Sequence, residues 1–144
     1  MRALVQRVAR ARVSVADETV AQIGAGLLVL LGVTHGDERE CADRLAAKVT
    51  ALRVFADADG RMNEPLGDRE VLCVSQFTLY ADTSRGTRPS FVDAAEPEQA
   101  RVLYERFCDA LGAARGRFGA NMQIELLADG PVTVMLEVGG RPAG

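Results

Sequence analysis

The sequence predicts a single α+β domain: a largely antiparallel or mixed β-sheet, barrel-like in its curvature, covered by two amphipathic helices. Three observations carry that expectation. Three strand-like segments precede any helical periodicity, two stretches with apolar residues at helical spacing follow, and the chain closes on two apolar runs, Met122 to Leu127 and Val132 to Val138. At 144 residues with 48% hydrophobic content, the chain is long enough to bury one core without metal or disulfide staples.

The first strand is read from period 2. Odd positions Ala3, Val5, Arg7, Ala9, Ala11, Val13 and Val15 form one face, and Leu4, Gln6, Val8, Arg10, Arg12 and Ser14 the other. Arg2, Arg7, Arg10 and Arg12 with no acid before Asp17 also resemble an organelle leader, but the alternation assigns the segment to a strand. Arg7 is then the one charge on an apolar face. Either it is paired or lines a cavity there, or a bulge or register shift returns it to solvent.

Glu18 to Gly24 is the hairpin partner of that strand, and Gly26 to Val33 a central strand buried on both faces. Asp37 followed by Glu40 has the form of a capping box, and Cys41, Leu45, Val49 and Leu52 share one face of a helix that ends near Arg53. Phe55 to Asn63 is turn-rich and leads through Pro65 and Gly67 into a short strand, Val71 to Val74. The polar cluster Ser75-Gln76-Phe77-Thr78 begins where this strand ends. Asp82 to Asp93 has no periodicity and forms a loop. Pro97 opens a second helix with Ala100, Leu103, Tyr104, Phe107 and Leu111 as its buried stripe, and Gly112 to Gly119 breaks it before the last two strands. The domain is expected to span residues 1–138, with the Gly/Pro-rich stretch Gly139 to Gly144 as a frayed tail.

Composition narrows the function. Cys41, Cys73 and Cys108 are odd in number and set among apolar neighbours, as buried reduced thiols of a cytoplasmic protein would be. The longest apolar run, Leu27 to Val33, is far short of the roughly 20 residues of a membrane span, and no secretory signal is expected. A net charge of −3 confines any RNA contact to a local surface. With His35 the one histidine and no clustered carboxylates or paired cysteines, neither a metal site nor a Ser-His-Asp triad is expected, and no cofactor is implied. His35, in a Thr-His-Gly-Asp turn, reads as a surface or capping residue. What remains is Ser75, Gln76 and Thr78 with nearby backbone amides. They either terminate a strand or supply oxyanion donors, and donors without a base imply a substrate that brings its own.

Between the last two apolar runs lies Ala128-Asp129-Gly130-Pro131-Val132-Thr133. This is either a hairpin turn with proline opening the next strand or a rigid Gly-Pro unit of special geometry, since X-Pro bonds alone have a realistic cis option.

Together, Ser75-Gln76-Phe77-Thr78-Leu79-Tyr80, Arg88-Pro89-Ser90-Phe91 with Ala94-Ala95-Glu96-Pro97, Phe118-Gly119-Ala120-Asn121-Met122 and Asp129-Gly130-Pro131-Val132-Thr133 resemble the D-aminoacyl-tRNA deacylases. The likeness runs in order from residue 1 to about 138, and includes Gly60-Arg61-Met62-Asn63. It implies a homodimer that hydrolyses the ester between a D-amino acid and the 3′-terminal adenosine of tRNA. By the same resemblance, Gly130 and Pro131 of one subunit would enter the other's site as a Gly-cisPro unit whose carbonyls exclude L-side chains, and Arg7 would brace them. Ser75, Gln76, Phe77 and Thr78 would line the ester pocket, with the Phe77 amide as oxyanion donor. Phe118, Ala120 and Met122 would receive the adenine. The implied mechanism is assisted by the terminal 2′-hydroxyl, with Thr78 as nucleophile the competing version. Exclusion of this kind also predicts cleavage of mischarged glycine, which has no side chain to reject. Ala128 departs from the family's usual asparagine before Asp-Gly-Pro. Rival classes are a non-catalytic binder of the tRNA acceptor end and a small-molecule acyl-ester hydrolase.

Overall fold

The N-terminal alternation forms a 14-residue strand, β1 (Arg2–Val15), in the computed structural model, which describes residues 1–139. From residue 140 the expected tail lies outside the described residues. Ala16 and Asp17, both at positive φ (49° and 65°), make the two-residue turn into β2 (Glu18–Ile23), which pairs antiparallel with the C-terminal part of β1. Next along the chain come β3 (Gly26–Gly32), helix α1 (Arg39–Ala51), a small hairpin of β4 (Phe55–Ala56) and β5 (Met62–Glu64), and β6 (Glu70–Ser75). A 3₁₀ turn (Phe77–Tyr80), helix α2 (Pro97–Leu111), a two-residue β7 (Ala114–Arg115) and β8 (Gln123–Glu137) complete it.

The sheet runs β2-β1-β3-β6-β7, with β8 on the other side of β1, and curls into a nearly closed barrel. β3 lies antiparallel to β1 but parallel to β6, and β6 is parallel to β7, so the sheet is mixed. The α1 crossover between β3 and β6 supplies the parallel pair.

Two cores follow from the two faces of β3. Leu27, Val29 and Leu31 pack toward the helices with Leu45, Val49, Leu103 and Phe107, whereas Leu28 faces Val8, Val13, Ile23, Leu72 and Val74 inside the barrel. Side chains buried this completely contribute about 1.5–3 kcal/mol each. At Gly26 the β3 backbone passes so close to β6 that an added Cβ would lie 1.8 Å from the Glu70 carbonyl oxygen, so only glycine fits.

Three expectations are corrected. The two C-terminal apolar runs are not separate strands around a turn. They are halves of one strand, β8, and both pair with β1: Arg2↔Glu137 through Gln6↔Thr133, then Val8↔Ala128 through Ser14↔Gln123. β1 is long enough to template both halves, so Asp129 to Val132 stand out as a four-residue bulge opposite Arg7. The single-phase alternation of β1 also fails. Ala3 and Val5 are buried, then Val8, then Ala11 and Val13, because register shifts flank Val8 and move the strand from one core to the other. Finally, no capping box forms at α1. Its N-cap is Glu38, without a side-chain bond, and Asp37 is used otherwise.

Asp37 and the Met1 ammonium, whose side chains are 1% and 0% exposed, form an ion pair at 2.9 Å, and the same carboxylate accepts the Thr34 N–H at 2.8 Å. This pair ties the start of β1 to the α1 entry. Removing one member strands a buried charge, so Asp37→Asn is expected to cost about 3 kcal/mol, measured as a lower urea midpoint with unchanged m.

Arg7, 16% exposed, fills the space under the bulge. Its Nε donates to the Asp129 carbonyl at 2.9 Å and its Nη1 to the Val54 carbonyl at 2.6 Å, while the Asp129 carboxylate lies 3.4 Å from Nε. Arg7→Ala should cost about 1–3 kcal/mol and speed hydrogen exchange at the amides of residues 128–133 while leaving α2 amides protected. Uniform acceleration across the chain would refute this bracing role.

Candidate functional site

The β6 ladder ends at Gln76, whose N–H donates to the Leu31 carbonyl at 2.8 Å; beyond it the backbone turns sharply into the 3₁₀ segment. The first amides of such a turn have no acceptor within it, so Phe77 and Thr78 present donors at the sheet's end. Here a cleft of about 650 Å³ opens between the end of β6, the start of α2 and the segment Phe118–Met122. Val74, Ser75, Gln76 and Phe77 form one wall, Phe91 and residues 94–97 with Ala100 a second, and residues 118–122 with Ile124 a third.

The structure therefore brings Ser75, Gln76 and Phe77 together with Phe118, Ala120 and Met122. Thr78 is exposed and stands outside the lining, and its hydroxyl accepts a hydrogen bond from Gln76 Nε2. Phe77 and Phe91 meet edge to face with centroids 5.0 Å apart and remain 54% and 39% exposed, an aromatic lip open to solvent. Phe118 is held from behind by Tyr104, at 5.7 Å, whose hydroxyl donates to the Cys73 carbonyl at 2.9 Å. Burial pushes the Tyr104 phenol well above its ordinary range, so it serves as a neutral strut. Gly116 leaves room for the Met122 thioether, which an added Cβ would meet at 2.7 Å.

Gly130, Pro131 and Arg7 lie elsewhere on the chain, outside this cleft. The Gly130-Pro131 peptide is cis, both residues are exposed, and Gly130 has φ 134°. An added Cβ there would sit 2.8 Å from the Val132 nitrogen and 3.2 Å from Arg7 Nη2, so a side chain is excluded.

Among the described residues, Glu96 is the one ionisable residue lining the cleft. His35 is outside it, exposed, with Nε2 donating to the Val92 carbonyl at 2.6 Å. The surroundings suit a flat apolar group plus a polar group that meets strand-end amides. Sequence reasoning did not assign Phe91, Ala94, Glu96 or Ala100 to the site. The signal was present for most of them, because they belong to or adjoin the motifs that carried the resemblance.

Residues 4–137 match the family model described as D-Tyr-tRNA(Tyr) deacylase. A D-aminoacyl-tRNA deacylase of Dehalococcoides mccartyi is 54% identical, with 95% of this chain and 94% of the relative covered. That of Idiomarina loihiensis is 53% identical over 94% of this chain and 98% of its own. Among solved structures, the c-Myc DNA Unwinding Element Binding Protein superposes with a TM-score of 0.91 at 39% identity, covering 97% of this chain and all of its own. A probable eukaryotic D-amino acid tRNA deacylase, 16% identical with a TM-score of 0.83 over 95% of this chain, shares the fold. With residues 4–137 matched by the family model and relatives at 52–54% identity aligned over most of its length, the chain belongs to the D-aminoacyl-tRNA deacylase family, and so to the hydrolases.

Proposed function

We propose that this protein hydrolyses the ester joining a D-amino acid to the 3′-terminal adenosine of tRNA, as a cytoplasmic homodimer. The observation that carries the reading is the cleft itself, an apolar slot leading to strand-end donors, in a chain that belongs to this family. The adenine takes the Phe118, Ala120 and Met122 end. The ester lies against Ser75 to Phe77, with the Phe77 N–H directed at the developing oxyanion and Gln76 orienting the aminoacyl group.

In the reaction a water oxygen bonds to the ester carbonyl carbon, the bond from that carbon to O3′ breaks, and the proton passes to O3′. The neighbouring 2′-hydroxyl relays that proton, which compensates for the lack of a histidine or other basic group at the ester. Thr78 is a poor nucleophile by comparison, since its hydroxyl is bonded to the Gln76 amide, and an amide is no base at neutral pH.

Chirality is read by exclusion. The bulge at Gly130 and Pro131 is exposed and braced by Arg7, and it lies outside its own chain's cleft, as a unit inserted into a second subunit must. Its carbonyl oxygens would stand where an L-side chain projects. Glycine escapes this filter, so glycine mischarged on tRNA-Ala is a substrate as well.

Dimerisation is supported by β8, which pairs on one side only among the described residues and leaves Leu126, Leu127 and Met135 39–49% exposed. A 15-residue edge of this kind needs cover. The three cysteines are free and buried, which fits a reducing compartment. No helix among the described residues is long and apolar enough to cross a membrane.

The deciding assay compares D- and L-tyrosyl-tRNA, and D-tyrosyl-tRNA ending in 2′-deoxyadenosine. Rapid release of D-tyrosine alone, with loss of roughly 100-fold or more on the deoxy substrate, supports the reading. Retention of intact D-tyrosyl-tRNA would instead mark a binding module, and equal cleavage of simple tyrosine esters a small-molecule esterase. Thr78→Ala should keep its rate within about threefold; near-complete loss with intact folding would make Thr78 the nucleophile. Light scattering should give twice the chain mass, and Leu127→Asp should shift it toward one chain mass.

A further inference from the structure

We propose that Arg101, with Arg117 beside it, receives the phosphodiester that enters the terminal adenosine and so sets that nucleotide's position in the cleft. The proposal rests on the acceptor-end reading above and deepens it. The Arg101 guanidinium carbon sits 5.4 Å from the centroid of the Phe118 ring, within cation–π range, which pins an otherwise mobile side chain at the rim of the base slot. Arg117 directly precedes Phe118, is exposed, and starts a turn closed by the Ala120 N–H on its carbonyl at 3.1 Å.

The contrast with the two nearest other arginines in the chain, Arg106 and Arg115, is the second observation. Arg106 on the same helix is bound through two nitrogens to Asp43, and Arg115 is paired with Asp109. Arg101 has Glu98 and Glu105 one turn away on either side, yet among the described residues neither it nor Arg117 forms an ion pair. In a chain of net charge −3, two guanidinium groups without an ion pair, one over the ring of Phe118 and one next to it in the chain, beside a cleft with one acidic lining residue, make a local site for an anion. A base held against Phe118 places its ribose toward Ser75 and sends the 5′-phosphate out over the rim, where a planar fork suits phosphate oxygens. Arg85 and Arg88, on the exposed loop, have no such aromatic anchor.

The test uses two non-hydrolysable inhibitors, 3′-(D-tyrosylamino)-3′-deoxyadenosine and the same nucleoside linked through its 5′-phosphate to cytidine. Arg101→Gln is expected to raise the inhibition constant of the phosphodiester compound about tenfold and to leave the nucleoside within about twofold. For D-tyrosyl-tRNA it should raise KM at unchanged kcat and flatten the dependence of log(kcat/KM) on log salt by about 0.7. Arg117→Gln should act in the same direction, and Arg101→Lys should restore most of the phosphodiester affinity. Equal losses for both inhibitors would make Arg101 a prop for Phe118 and overturn the proposal, as would unchanged constants for both. If neither compound inhibits the unaltered protein while D-tyrosyl-tRNA is still hydrolysed, the placement of adenosine in this cleft falls, and the proposal with it.

Discussion

The ladder between β1 and β8 is the constraint on which the rest depends. β1 is paired near both ends by β8 on one side, with a break at Arg7, and by β3 and then β2 on the other, so its twist and register shifts set both cores. Because β8 must match β1 at both ends, its surplus residues have one place to go. They leave as the Asp129–Val132 bulge, and the carbonyl groups freed from the ladder there need partners. Arg7 supplies a partner at Asp129 while also reaching Val54, before the β4–β5 hairpin, so one side chain joins three parts of the chain. The exposed Gly-Pro unit is thus a consequence of strand pairing, with its backbone fixed by an ion placed opposite.

Much of this was legible in the sequence where the signal is local. Period 2 found β1, the continuous apolar run found β3, and the stripe from Ala100 to Leu111 found α2, because each pattern reflects burial of that segment's own residues. Partner choice is not local. Asp-Gly-Pro has strong turn character, and only the length of β1 shows that the flanking runs join one strand. Arg7 illustrates the same limit: a register shift does occur beside it, yet the shift leaves the charge covered and paired instead of returning it to solvent, because it creates the bulge that the charge then satisfies. Asp37 resembled a cap until the Met1 ammonium, at the far end of the sheet's first strand, competed for its carboxylate.

At the site, polar and motif residues were legible and apolar lining was not. Ser75, Gln76 and Phe77 stood out as the end of a strand with two readings open, and they and the segment Phe118 to Met122 were assigned to a site only through the family resemblance. Phe91, Ala94 and Ala100 carry no chemistry of their own, and become part of the site only because α2 begins beside the end of β6. Thr78 shows the converse: its place in the motif put it in the pocket, but the 3₁₀ turn directs it away from the lining and onto Gln76.

Among the described residues a cleft whose lining carries a single carboxylate offers little material for paired acid and base catalysis of ester hydrolysis. Under the proposed reading its contribution is placement, which is effective only if the donors hold still as the carbonyl oxygen gains charge. That condition explains why the site is built on the end of β6, a strand buried from Val71 to Val74 and paired on both sides, instead of on the long loop that follows. It also explains why selection by a backbone bulge is compatible with such a site. A side chain that bound D- and L-substrates with slightly different strength would discriminate by at most a few kcal/mol, whereas a bulge tied to Arg7 and anchored at both ends by paired strand has little room to yield. Under the same reading, rigidity of one sheet would serve both requirements, the rate through β6 and the selectivity through β8, since β1 and β3 link the two.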